Sequence, residues 1–208
     1  IAVAQDEAFC FYYQDSLDLL EQMGAELISF SPLRDKKLPD SCGLYIGGGY
    51  PELYIGKLSE NKSLLKDIKE KASTGMPVYA ECGGYMYLLE GFRDGERVYE
   101  LAGVAQGESF MTKRLNNFGY VRLTAKTDNL MCRKGESICG HEFHYSNSTN
   151  QGDSFIAEKP GSGSSRGCII ADETRFMGYP HINLLGNTGF AESFIKGCIY
   201  YGEKSCCL

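Results

Sequence analysis

The segment Pro77-Val78-Tyr79-Ala80-Glu81-Cys82-Gly83-Gly84 constrains the fold more than any other stretch of the chain. A proline turn, a short β-prone run and a pair of glycines predict a strand that breaks sharply into a helix. Such a turn pushes the Cys82 side chain out at the carboxyl end of a sheet. Gly83 and Gly84 lack Cβ atoms, so they permit the tight turn and a close approach by substrate. The N–H groups that open the following helix favour a thiolate and can hold an oxyanion. The same logic exposes the serine in the nucleophile turn of α/β hydrolases. The pattern also fits a structural cysteine buried after a strand.

The residues before Cys82 alternate between strand and helix signals. Ile1 to Gln5, Ala25 to Phe30, Gly43 to Ile46 and Val78 to Glu81 read as strands. Asp15 to Met23, with Gly24 as its stop, and Ser63 to Ser73 read as amphipathic helices. Pro32 to Pro39 is a polar loop. Short links between alternating elements predict a flavodoxin-like, mostly parallel sheet with helices on both faces. After residue 100 or so the pattern changes. Gly119 to Thr127, Ile138 to Tyr145, Phe155 to Ala157 and Gly167 to Ala171 read as strands joined by polar turns, which predicts antiparallel strands at one edge of the sheet. Gln151 to Arg166 holds a Gly/Ser-rich loop, expected to be mobile. A last helix, Thr188 to Tyr200, turns Phe190, Phe194 and Ile195 inward.

Composition narrows the function. The 208 residues suit one sizeable α/β domain, and 43% hydrophobic content supplies a core. A net charge of −6 without a Lys/Arg cluster argues against nucleic-acid binding. No apolar run approaches a membrane span, and the short, uncharged N-terminus does not read as a signal peptide. The chain starts on a strand without an initiator Met, which predicts a piece of a longer polypeptide. Nine cysteines, odd in number and irregularly spaced, do not read as a secreted disulfide scaffold. They point to a reducing cytoplasm, with most thiols acting as small buried hydrophobes.

A thiol nucleophile needs a base. The chain has three histidines, His141, His144 and His181. Each is also compatible with an ordinary hydrogen-bonded histidine, and the residues alone do not choose among them. Gly47-Gly48-Gly49-Tyr50-Pro51-Glu52 follows the third strand and can present backbone N–H groups to an anion or oxyanion. It equally fits a tight turn. No Lys-Ser/Thr pair follows, so it is not a phosphate-binding loop.

Taken together, these segments resemble the C-terminal glutaminase half of cobyrinate a,c-diamide synthases, a class I-type glutamine amidotransferase domain. The resemblance runs through Ile1 to Tyr13, Phe30-Ser31-Pro32-Leu33, Gly47 to Glu52, Ala80 to Leu88, Gly140 to Ser146 and Tyr179-Pro180-His181. The strings Asp-Glu-Ala-Phe-Cys-Phe-Tyr-Tyr and Gly-His-Glu-Phe-His-Tyr-Ser carry its specificity. It implies one domain over 1–208, with catalytic Cys82 and His181, and with Gly48, Gly49 and Gly83 binding substrate through their backbones. It implies glutamine as substrate and no cofactor or metal in this domain. ATP and Mg belong to an N-terminal synthetase domain that is absent here and would receive the ammonia. The acceptor would be a corrinoid carboxylate at side chains a and c, or nickel-sirohydrochlorin or another tetrapyrrole in similar enzymes. The resemblance allows a homodimer and implies neither nucleic acid nor membrane as partner. Many class I glutaminases orient the histidine with a Glu two residues later. Here that position is Asn183, so the expectation is a Cys-His pair.

Three rival readings stand beside this one. Cys132, Cys139, His141 and His144 lie close in sequence, but their spacing fits no common zinc pattern. A non-catalytic docking module of the same fold would not need an intact Cys-Gly-Gly turn and a matching late histidine. A stand-alone cysteine hydrolase would not need the family-specific strings. Within Gly140 to Ser146, Glu142, His144 and Tyr145 read as polar groups on a strand edge, facing either the synthetase half or the ammonia path, or as a structural hydrogen-bond cluster.

Overall fold

The structure is a computed structural model and describes residues 1–161 and 163–205. Its centre is a six-stranded sheet. In spatial order the strands are Ile170–Ala171, Arg175–Gly178, Val78–Glu81, Leu44–Ile46, Ala2–Ala4 and Ile28–Phe30. All neighbours run parallel except Ile170–Ala171, the antiparallel edge strand. Ala2–Ala4, Leu44–Ile46 and Val78–Glu81 are buried at every position. That burial explains their apolar sequence, interrupted at Glu81 alone, since each is covered on both faces.

Two cores lie on the two faces. On one face, helices Gln14–Gln22 and Thr188–Ser205 bring Leu17, Leu20, Phe190 and Phe194 onto Val3, Tyr45 and Tyr79. On the other, helices Ile55–Glu60, Lys62–Ser73 and Gly83–Leu88 bring Leu58, Leu64, Ile68 and Met86 onto Ala4, Ile46 and Ala80. Leu20 and Ile68 are fully buried. Truncating either to Ala is expected to cost ~2–5 kcal/mol through lost transfer energy and the cavity left behind.

The later strands depart from the sequence expectation in one respect. The antiparallel edge strand is present, but most of the other late strands pair among themselves. Ser165–Cys168, Phe155–Glu158, Asn117–Ala125, Ser137–His144 and His181–Ile182 form a five-stranded antiparallel sheet. Leu89–Asp94, Arg97–Glu100, Ala105–Met111 and Ser146–Ser148 form a third sheet. The physical reason is visible along Ser137–His144, where buried positions alternate with less buried ones. A strand with one wet face cannot sit inside a sheet that is covered on both sides. The expected single strand from Gly167 to Ala171 is two strands, one in each sheet. Ile169 at the junction has φ +62°, rare for a β-branched residue. The expected Gly/Ser loop contains a paired hairpin, Phe155–Glu158 with Ser165–Cys168, and its Ser162 lies outside the described residues.

A second crossing joins the parallel and antiparallel sheets. The chain leaves the parallel sheet at Gly178 and enters the antiparallel sheet at His181. The strand Val78–Glu81 ends beside that crossing, because Gly178 pairs with Glu81.

Candidate active site

Cys82 occupies a backbone conformation that few side chains tolerate, with φ +47° and ψ −106°. Such a residue persists only when its surroundings over-determine it. Here they do. The Cys82 N–H donates to Gly178 O at 2.8 Å, and the Cys82 carbonyl accepts from Met86 N–H at 3.0 Å. The next turn is pinned by Gly84 N–H donating to Gly47 O at 2.9 Å. A Cβ on Gly84 would lie 2.1 Å from Ile46 O, so only glycine lets this helix seat on the sheet. The strand-turn-helix predicted around Cys82 is therefore present, with the strand at Val78–Glu81 and the helix at Gly83–Leu88.

Cys82 and His181 share the wall of a cavity of about 440 Å³, together with Gly49, Met111 and Phe143. His181 is buried, with its ring packed on Phe11 at 4.6 Å between centroids. Burial alone would push its pKa down. Hydrogen bonds with Cys82 and Glu81 outweigh that and lift it from 6.5 to about 10. The arrangement thus favours an imidazolium at neutral pH. His181 shares the cavity wall with Cys82, and Cys82 is among the groups that raise its pKa.

Glu81 is the residue that reading the sequence as a Cys-His pair overlooks. It is fully buried, and its Oε2 lies 3.3 Å from His181 Nδ1. Its Oε1 accepts from the Ile182 N–H at 2.9 Å and from the Tyr79 hydroxyl. The Tyr45 hydroxyl lies 3.5 Å from Oε2. Burial, reinforced by the neighbouring Glu81 charge, pushes the pKa of both tyrosines well above 10, so they remain donors. One signal was available in the sequence: a carboxylate closing an otherwise apolar buried strand. Asn183 does not take the orienting position. Its Oδ1 accepts from Leu185 N–H at 3.0 Å and its Nδ2 points to Asp15.

The glycines expected at the site gather around it. Gly48 and Gly49 pair with Phe9–Phe11 as a two-stranded ribbon. A Cβ on Gly48 would lie 2.5 Å from His181 Cε1, and one on Gly83 would lie 2.8 Å from Pro51 Cδ and 3.2 Å from Gly49 N. The loop, the base and the nucleophile turn are thus in mutual contact. Gly84 N–H is already committed to Gly47 O.

Glu142 and His144 are not on a surface edge. Both are buried, and Glu142 is bonded through both oxygens to Arg166. The His144 ring stacks on Tyr179 at 4.0 Å, with Nδ1 in contact with Ser146 O at 2.8 Å. Tyr145 is exposed, and half-buried His141 lies edge-on to Phe118 and Tyr120. Period-two alternation separates His141 from His144. Among the described residues, no three His, Cys, Asp or Glu side chains are grouped as metal ligands. Of the described cysteines, Cys82, Cys132, Cys168 and Cys198 are buried and Cys10, Cys42 and Cys139 are exposed. Burial pushes the thiols of Cys132, Cys168 and Cys198 up to about 11, 12 and 12, which makes them inert. Cys206 and Cys207, expected to be exposed tail thiols, lie outside the described residues.

Known proteins resemble this chain in sequence and fold. Residues 1–188 match the CobB/CobQ-like glutamine amidotransferase domain. A cobyrinate a,c-diamide synthase from Caldanaerobacter subterraneus is 48% identical over 98% of this chain and 46% of its own length. Another from Picrophilus torridus is 42% identical over 95% of this chain and 43% of its own length. The chain thus spans under half the length of these curated relatives. In fold, it is similar to a chain of PurLQS from Thermotoga maritima, with a TM-score of 0.62 and 17% identity, covering 96% of this chain and 97% of that one. The strand-turn-helix at Cys82, the crossing at His181 and the match over nearly the whole chain lead to one assignment: this chain belongs to the CobB/CobQ-like glutamine amidotransferase family.

Proposed function

We propose that this chain hydrolyses glutamine and passes the ammonia to an ATP-dependent synthetase half, which amidates the a and c carboxylates of cobyrinate. The observation that carries the reading is Cys82 held in a positive-φ turn, beside His181, in the wall of an open cavity. His181 takes the Cys82 proton, and the thiolate attacks the glutamine carboxamide carbon. Backbone N–H groups of Gly83 and of the Gly48–Gly49 turn hold the oxyanion. The C–N bond breaks, ammonia leaves with a proton from His181, and a γ-glutamyl thioester remains on Cys82. Water then attacks the thioester, releasing glutamate and restoring the thiol. Proton transfer by His181 contributes ~10²–10⁴-fold. ATP and Mg act in the synthetase half.

Two observations support the partner. The relatives are about twice as long as this chain, and they are named for the complete synthase. The cavity also opens among exposed apolar side chains, Phe11, Met111, Phe143 and Tyr145, flanked by Phe118 and Tyr120. An apolar rim of this kind around a polar site is a docking face. The deciding experiment uses the full-length protein with Cys82→Ser. Amidation from glutamine is expected to vanish while amidation from added ammonia persists, because ammonia bypasses only the step at Cys82. Loss of both activities in a folded protein would refute the assignment of Cys82. Cobyrinate is the acceptor favoured by the relatives, and product analysis of the ammonia-driven reaction tests it.

A further inference from the structure

We propose that Glu81 is the positioning carboxylate of this site, supplied by the residue immediately before the nucleophile instead of one downstream of the histidine. The inference rests on the proposed Cys82–His181 chemistry and assigns that site a third member.

The two oxygens of Glu81 have different surroundings. Oε1 is fixed by two neutral donors, the Ile182 N–H and the Tyr79 hydroxyl. Oε2 faces the His181 Nδ1 and lies at the limit of reach of the Tyr45 hydroxyl. One oxygen therefore anchors the group and the other addresses the imidazole. The anchor is rigid: Tyr45 and Tyr79 stack at 4.2 Å with 9° between their planes, deep in the sheet. Ile182 follows His181 directly, so its N–H ties the carboxylate to the same two-residue strand that carries the ring.

Chain geometry makes this possible. Successive side chains on a strand point to opposite faces. Because Cys82 turns to φ +47°, two neighbouring residues can address a single ring, Glu81 at Nδ1 and Cys82 by its thiol. A carboxylate at Nδ1 fixes the tautomer and orientation of the base and stabilises the imidazolium, as the aspartate does in serine hydrolase triads. The titratable groups facing the pair are Cys82, Tyr45 and Tyr79 from the parallel sheet, Tyr12 and Tyr13 ahead of the first helix, and His141 from the paired strand. Among the described residues, Glu81 is the carboxylate in contact with the His181 ring, while Glu52 lines the same cavity.

The test compares Glu81→Gln with the unchanged full-length protein, alongside Cys82→Ser and His181→Ala. Glutamine replaces the charge but keeps the acceptor for Ile182. Glutaminase kcat is expected to fall on the order of 10²- to 10⁴-fold, with KM for glutamine nearly unchanged. A second readout is the pH dependence of Cys82 alkylation by iodoacetamide, followed on the Cys82 peptide by mass spectrometry. Its upper step reports deprotonation of His181. Glu81 favours the charged ring, so that step is expected to move to lower pH in Glu81→Gln. A purely structural role would lower the melting temperature without moving it. Glu81→Asp, which keeps the charge one methylene further back, is expected to recover part of kcat and most of the profile. It serves as the test if Glu81→Gln does not fold. Wild-type kcat and profile in either folded variant, with Cys82→Ser and His181→Ala inactive, would overturn the role of Glu81 alone. Activity in Cys82→Ser or His181→Ala would overturn the underlying site.

Discussion

Two buried carboxylate–histidine contacts lie in this domain, and they are built for opposite ends. Glu142 has Arg166 on both of its oxygens, and His144 Nε2 stands 3.9 Å away, beyond hydrogen-bond reach. Desolvation works against the Glu142 charge, but its partners more than offset it and hold its pKa below the usual carboxylate value. Arg166 thus neutralises that carboxylate, and His144 is fixed by a backbone carbonyl and a stacked Tyr179. Glu81, in contrast, is surrounded by neutral donors, and the one partner able to carry positive charge is His181. Both histidines are buried near the same cavity. What separates them is whether the neighbouring carboxylate is already neutralised. A buried carboxylate with an arginine is architecture, while one left to a histidine tunes that histidine.

The sharpest way to break this comparison is to delete each ring. His181→Ala is expected to slow glutamate release ~10²–10⁴-fold, while His144→Ala is expected to cost hydrolysis less than the ~10²-fold low edge of that range. Similar losses in the two variants, with unchanged thermal stability, would move His144 into the chemistry. Coupled amidation measured beside hydrolysis sharpens the result. A deficit confined to amidation in His144→Ala would place that residue on the route of ammonia rather than its production.

A smaller effect is expected from the other carboxylate. Arg166→Ala leaves Glu142 buried and unpaired. It is expected to cost about 2 kcal/mol of stability, less than the ~3–5 typical of a fully buried pair because Arg166 stays 32% exposed. Denaturant melts at neutral pH check this, and adding Glu142→Gln is expected to restore much of the loss. No recovery would mean that Arg166 acts through packing alone.

The smallest effect is a pH dependence. The folded-state pKa of Glu142 lies below its ordinary 4.5. Its contribution to stability is therefore present above about 4.5 and lost as pH falls through the lowered folded value. The gap between parent and Arg166→Ala is expected to narrow on acidification across that window. A gap that stays constant into acid would show that Glu142 does not feel Arg166 as a charge.

Much of this was legible in the sequence because it is local. The buried strand before Cys82 and the two glycines after it specify the turn by sterics alone, and the turn is where they put it. The amphipathic helix at Lys62–Ser73 was equally visible, since its spacing needs no distant partner. The contacts of Glu81 were hidden, because the histidine it touches lies 100 residues away. Neighbouring residues on a regular strand face opposite ways, and it is the φ of Cys82 that lets both address one ring. Glu142 and Arg166, 24 residues apart, were hidden for the same reason. Alternation marked Ser137–His144 as a strand but said nothing of which sheet it joins. That depends on the reversal at Ile169 and the crossing at His181, neither of which has a compositional signal.

The backbone at Cys82 also has an evolutionary consequence. A φ of +47° suits glycine better than cysteine, and strain of this kind costs ~1–3 kcal/mol. Fold stability and hydrolysis therefore pull this position in opposite directions. A lineage that no longer needed glutamine could exchange Cys82 for Gly in one step and gain a more relaxed, inert domain with the same exposed apolar rim. Under the proposed chemistry, forms of this fold that bind without catalysing would then arise by relaxation at this one position.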